Sequence, residues 1–393
     1  MNRFERINMP PWANLATVWG VLFILWLVPS QFQLIKYLGV VGAPATAALA
    51  AAGTGALLWL TSHFRLAPSR IWFWLLCGLL AVVFVVIFPL ANSGAYGVGS
   101  DRDDALNVTI EALLAGNYPY GVRTYLGNPP TPMPGAMVLA LPFYLLGTAA
   151  WQNLFWMPVF VIWVYKRFAS PSLALLALLM VWFSPAVMQD FATGGDYVVN
   201  AIYVAIAADL AVRTETRGGR WSRLVALLFL CLTISSRPIY AVVALVVGGQ
   251  LLQTVGPLRA LHFLMAAAAI GLALNLPFFL YDPAQFPTAH LMGKLDGQRL
   301  GIAAKVVLPI VAVLATLFSL RLKATSANLF AVIGLSLAAI LYPAFLLEVG
   351  QTGHGDRWLW TATFAVAVSV FGTLAVLMKL DEHAMQEDQH QLV

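Results

Sequence analysis

SDRDDALNVTIEALLAGNYPY, residues 100–120, interrupts a chain that is otherwise close to continuous oil. Asp101, Asp103 and Asp104 place three carboxylates in four positions directly after the apolar run 71–92, and the polar insert continues to Asn128-Pro129-Pro130-Thr131-Pro132. The surrounding chain is 61% hydrophobic and 10% charged, with a mean hydropathy of +0.82. A soluble domain carries roughly 25% charged residues, so this is an integral membrane protein. Its apolar runs recur at about 17–25 residues, the length of a spanning helix and not of a barrel strand. The fold expected is all-α and polytopic, with an outer-face amphipathic helix and loop insert.

Outward from the insert, spans are expected at 12–29, 34–60, 71–92, 149–165, 171–189, 195–212, 222–236, 238–255, 260–281, 301–320, 326–348 and 358–378, about twelve crossings. Cytoplasmic loops are enriched in Lys and Arg. Alternating the spans from a cytoplasmic N-terminus puts Arg65 and Arg70, Lys166 and Arg167, Arg213 to Arg223, Arg259, Arg321 with Lys323, and Lys379 all on one side. That agreement requires 134–147, short and containing Pro142, to enter and leave on the outer side as a half-buried segment. The chain then divides into N-terminal transmembrane helices (1–92), an outer-face loop with its amphipathic helix and half-buried segment (93–148), a helical bundle (149–380) and a polar cytoplasmic tail (381–393). Ten of the 17 acidic residues fall in or beside the outer segments, and polar groups near membrane depth are expensive and usually functional. Arg3 and Arg6 before an apolar run resemble a signal peptide, but further spans follow, so the run is expected to be the first membrane helix. The +5 net charge is explained by the basic loops and does not imply nucleic acid. Cys77 and Cys231 lie in apolar runs and indicate no disulfide framework.

Within the insert, Ser100 and Asp103 have the form of a capping box, Leu106, Ile110, Leu113 and Leu114 share one helical face, and Gly116 supplies a stop. A short amphipathic helix over about 101–115 is expected on the outer surface. Helix-dipole stabilisation explains any one acid in a first turn; three acids at a membrane exit also point to chemistry. Tyr118-Pro119-Tyr120 and the later prolines force extended, turned backbone. The tyrosines are interfacial anchors or stacking platforms for a sugar ring.

An aspartate cluster just after a spanning helix, an amphipathic helix ending Leu-Leu-Ala-Gly-Asn-Tyr-Pro-Tyr, a Pro-Pro element and an apolar half-segment together resemble the GT-C superfamily of membrane glycosyltransferases, mannosyltransferases among them. Tyr281-Asp282-Pro283 with Phe286 is similar to their outer loops. The resemblance covers about 95–165 most closely. Here the acidic loop follows the third expected span, whereas in most of the superfamily it follows the first. The resemblance implies a polyprenyl-phosphate-linked sugar as donor, a glycan, glycolipid or protein as acceptor, and a site facing the periplasm or exterior of the inner (plasma) membrane. It places the catalytic carboxylate on Asp101, Asp103 or Asp104, with Asp101, nearest the membrane exit, preferred and a neighbouring acid holding the acceptor.

That chemistry needs a base to take the acceptor's proton and cations to hold the departing phosphate; direct displacement inverts the anomeric centre. Candidate phosphate ligands are Arg237, in Ser-Ser-Arg-Pro at a helix end, with Lys294, Arg299, His354 and Arg357 in later outer loops. Tyr118, Tyr120, Arg123 and Asp196 are candidate substrate contacts. No spacing matches a dedicated metal motif, and no metal or cofactor is expected. The competing expectation is a transporter or lipid-linked sugar flippase, which requires ionisable residues in the middle of spans. An O-antigen-type polymerase or ligase requires a large late outer loop, and the late loops here are modest.

Overall fold

The computed structural model describes residues 14–63, 68–93, 95, 100–290, 301–352 and 365–390. Helix α1 (Leu15–His63) breaks at Gly39, whose φ of 69° a side-chain-bearing residue seldom adopts, into membrane-length halves Leu15–Gly39 and Val41–Thr61. The sequence places this break between 29 and 34; the helix instead continues through Pro29. There follow α2 (Arg70–Asn92), α3 (Arg102–Leu114), α4 (Pro134–Tyr144), α5 (Gln152–Arg167), α6 (Pro171–Trp182), α7 (Pro185–Ala192), α8 (Tyr197–Arg217), α9 (Arg220–Ile234), α10 (Ala241–Val255), α11 (Pro257–Tyr281), α12 (Gly301–Arg321), α13 (Ser326–Thr352) and α14 (Val366–His390). No strand occurs among the described residues.

Among the described residues, seven helices are long and apolar enough to cross a membrane, or nine if each of two sharply bent pairs is one span. Three of the twelve expected spans are not among these. Helix α9 has only 15 residues, the apolar part of α12 is Val306–Arg321, and 358–364 lies outside the described residues. The expected span 171–189 is not straight either: Ser184 and Pro185 end α6 and start α7 at a 70° bend.

Helix α8 is the axis of the bundle. Ala201, Ala205, Ala207 and Ala208 are fully buried, and such small side chains let α5, α9, α10 and α14 approach closely. Helix α2 instead turns Trp72, Trp74, Leu75 and Val82 outward, as a lipid-facing helix does. Helices α5 and α8 both run from an acidic end, carrying Asp190 and Asp196, to a basic end, carrying Arg167 and Arg213.

The insert sits on the acidic end. Helix α3 spans nearly the residues expected, and Gly116 (φ 75°) ends it as Asn117 N–H bonds back to the Ala112 carbonyl at 2.8 Å. Leu106 and Ile110 pack on Met133, Met137 and Ala140 of the α4 segment, so this face is buried in protein; Leu113 and Leu114 remain exposed. Helix α4 then bends by 94° into the next helix, as a broken span or a re-entrant segment does. Met133 and Gly135 N–H bond the Ser236 and Ser235 carbonyls at 3.2 and 3.1 Å. A Cβ on Gly135 would stand 2.0 Å from the Leu232 carbonyl, so only glycine permits this docking. At the far end, the expected frayed tail is corrected: α14 continues to His390, and buried Asp381 accepts bonds from Ala169 and Ser170 N–H at 2.7 and 2.8 Å, holding the turn before α6.

Candidate functional site

Asp101 is the N-cap position of α3, but no side chain caps the helix, so the expected capping box is not formed. Its Oδ2 instead accepts from Thr124 Oγ1 at 2.7 Å and Asn128 Nδ2 at 2.8 Å. Asp104 Oδ2 accepts from the Tyr125 N–H at 2.8 Å. These two carboxylates therefore fasten the turn 124–128, which Gly127 (φ 77°) closes. Asp103 is different. Only 9% of it is exposed, and burial pushes its carboxyl up to about 7. The backbone N–H groups of Asp104 and Asp103 partly offset this, and the Asp104 and Asp101 charges add to it. A carboxylate poised near neutral pH suits a general base.

Below the insert lie two buried ion pairs. Arg102 Nη1 meets Asp190 Oδ1 at 2.5 Å, and Asp190 Oδ2 accepts from Val198 N–H at 2.9 Å. Arg237 Nη2 meets both oxygens of Asp196 at 2.6 Å, while its Nη1 reaches Thr131 Oγ1 of the insert at 2.6 Å. The Tyr197 ring lies between the two guanidiniums, 4.2 Å from Arg102 and 5.0 Å from Arg237, within cation–π range. The Gly194-Gly195 turn makes this possible. Gly194 has φ 77°, and a Cβ on Gly195 would meet Asp190 Oδ1 at 2.2 Å. Both pairs are internally neutral, so neither guanidinium offsets the three insert carboxylates.

Of the sequence candidates, the structure brings together Asp101, Asp103, Asp104, Asp196 and Arg237. Arg237 is engaged by Asp196, and its buried Nε has no hydrogen-bond partner among the described residues. Tyr118 donates to the Phe278 and Asp282 carbonyls at 2.9 and 3.0 Å and stacks on Tyr281 at 4.7 Å. Tyr120 is fully buried, edge-on to Phe278 and Phe286. Both rings tie the insert to the end of α11. Arg123 is exposed on the loop before Thr124. Lys294, Arg299, His354 and Arg357 lie outside the described residues. Among the described residues, no group of three His, Cys, Asp or Glu side chains could hold a metal ion.

One cation at this end escapes sequence reasoning as a site component. Arg102 reads from sequence as one of the outer basic residues available to a phosphate, but its tie to Asp190, 88 residues away, does not. Lys36 lies inside an expected span. Gln33 donates to Gln189, beside Asp190, at 2.6 Å, so the last turns before Gly39 reach the site end with Lys36 exposed. The Ser184-Pro185 start of α7 is a helix-start signal that marks the bend carrying Asp190. No protein-family model, no curated protein and no solved structure matches this chain.

Proposed function

We propose that this protein is a membrane glycosyltransferase of the GT-C kind, which moves a sugar from a polyprenyl-phosphate donor to a hydroxyl of a glycan, glycolipid or protein at the outer membrane face. The observation that carries the proposal is Asp103: a nearly buried carboxylate, raised to about 7, on a short insert helix docked at the acidic end of a membrane bundle. In this reading Asp103 accepts the acceptor's proton as the hydroxyl oxygen attacks the anomeric carbon. The bond from that carbon to the phosphate oxygen breaks with inversion, and the electron pair leaves on the lipid phosphate. Asp101, the first choice from sequence, has one oxygen taken by Thr124 and Asn128, which makes it a holder of the loop.

The site faces the periplasm or exterior of the inner membrane, and the chain crosses about twelve times, α9, α12 and α14 completing the nine spans above. Arg237 and Arg357, with Lys294, Arg299 and His354, hold the donor phosphate, the unpartnered Nε of Arg237 being the donor it still offers. The transporter reading is not favoured, because the buried Asp–Arg pairs among the described residues lie at the bundle ends. The test is purified protein incubated with a panel of polyprenyl-phosphate sugars and candidate acceptors, following release of lipid phosphate. Release with one donor supports the proposal; no release with any, together with substrate uptake into vesicles, overturns it in favour of transport.

A further inference from the structure

Arg102 stands in the middle of an acidic first turn, with Asp101 and Asp103 as its sequence neighbours and Asp104 one residue further on. Its guanidinium pairs with none of them. It reaches out of the turn to Asp190 at 2.5 Å and lies against Tyr197 at 4.2 Å. Among the described residues, the three carboxylates left behind meet only neutral donors: Thr124 and Asn128 on Asp101, Tyr125 N–H on Asp104, and backbone N–H groups on Asp103. The partner that removes the cation is fixed in place. Asp190 is buried, its second oxygen is held by Val198 N–H, and the space for its carboxylate exists only because residue 195 is glycine.

We propose that Asp190 is a positioning residue for the base: it withdraws Arg102 from the acidic cluster and neutralises it, so that Asp103 faces no cation and keeps the proton affinity its role requires. This rests on the reading of Asp103 as the base. Among the described residues, the charged and titratable groups around Asp103 are few. On its own helix they are Asp101 at the N-cap, Arg102 and Asp104, with Glu111 two turns further on. Helix α4, packed on α3, carries no charged residue; the adjoining loop carries Tyr125 and exposed Arg123. Beneath lie Asp190, Tyr197 and the self-neutralised pair Asp196–Arg237. Only Arg102 is close enough along the chain to swing onto Asp103, and an opposite charge within about 4–6 Å lowers a carboxylate's proton affinity by about one to three pH units.

The experiment is a titration of Asp103 that does not require turnover. Infrared difference spectra of the full-length protein follow the C=O band of a protonated carboxylic acid, assigned by its loss in Asp103→Asn. The wild-type band titrates near 7. Asp190→Asn moves the midpoint down by about one to three pH units and moves the acid limb of the transfer rate with it. Asp190→Glu, which keeps the pair, restores the wild-type midpoint, as does the double variant Arg102→Gln/Asp190→Asn, in which no charge is left to move. An unchanged midpoint in Asp190→Asn overturns the proposal. If that variant does not fold, the double variant decides alone: the wild-type midpoint supports shielding by Asp190, and a midpoint raised by a pH unit or more shows that Arg102 acts on Asp103 in the wild type and overturns it. Loss of transfer activity with the expected infrared shifts intact counts against the function and not against this arrangement.

Discussion

The two ends of the bundle use the same residue types to opposite effect. At the basic end, the buried carboxylate of Asp209 meets two guanidiniums: Arg167 Nη2 donates to its Oδ1 at 2.9 Å and Arg167 Nε lies 2.9 Å from its Oδ2, Arg213 lies 3.7 Å away, and Ser326 Oγ donates at 3.0 Å. At the acidic end, two guanidiniums are absorbed by Asp190 and Asp196, and three further carboxylates have no cation among the described residues. Buried charge is costly unless matched. At the basic end Asp209 is matched by cations and serves stability, and Asp381 is held by two N–H groups. The acidic end keeps an unmatched carboxyl, Asp103, raised to about 7, at some cost to stability, and such mismatches mark functional sites.

The largest effect should come from Asp103→Asn, which removes the base: transfer falls by about 10²–10⁴-fold in a rate assay on folded protein. The same variant sharpens the contrast through pH. The folded-state carboxyl, near 7, lies above its unfolded value, so its contribution to folding is fully present below about pH 4 and is lost as pH rises through 7. Melting temperatures in detergent should therefore show Asp103→Asn equal to wild type near pH 4 and more stable by several degrees at pH 8. A mutant less stable than wild type at pH 8 would contradict the mismatch.

Asp209→Ala should do the reverse. It strands Arg167 and costs about 3–5 kcal/mol of stability, with the transfer rate per folded molecule unchanged; a large loss of rate without a loss of stability would erase the distinction between the ends. Gly135→Ala forces the Leu232 carbonyl away from a Cβ 2.0 Å distant and should cost about 1–3 kcal/mol, lowering the melting temperature and the rate together as the insert undocks. Asn128→Ala is the smallest change. It removes one of two side-chain bonds to Asp101, worth about 1.5–3 kcal/mol at most for a charged acceptor, and should show as faster proteolysis of the 121–128 loop with only a modest loss of rate.

Local signals in the sequence carried the insert well. The acidic first turn, the Leu106/Ile110 face and Gly116 predict α3 to within a residue or two, and the short apolar run 134–147 predicts a separate short helix, observed as Pro134–Tyr144. The Asp196–Arg237 pair is only half legible: both residues stand out as polar groups at helix ends, but nothing local says that they bind each other across 41 positions. The Arg102–Asp190 pair is invisible for the same reason, since Arg102 has three nearer carboxylates that a local reading would choose. Span boundaries were misplaced where hydropathy is blind to geometry, at the Ser184 bend and at the Gly39 break beyond Lys36. The polar residues after 380 read as a tail, yet Asp381 is held inside by two N–H groups of the α5–α6 turn. The choice among three aspartates depended on burial, which spacing within one helical turn does not encode.

The central claim is that the unmatched carboxylate of Asp103 is the base of a lipid-linked sugar transfer. Its most direct test is the pH dependence of lipid-phosphate release from a polyprenyl-phosphate sugar by wild-type protein and by Asp103→Asn. Wild-type release is expected to rise with pH through a midpoint near 7, with at most residual release from Asp103→Asn at every pH. Release from Asp103→Asn at the wild-type rate, with the same rise near 7, would contradict it.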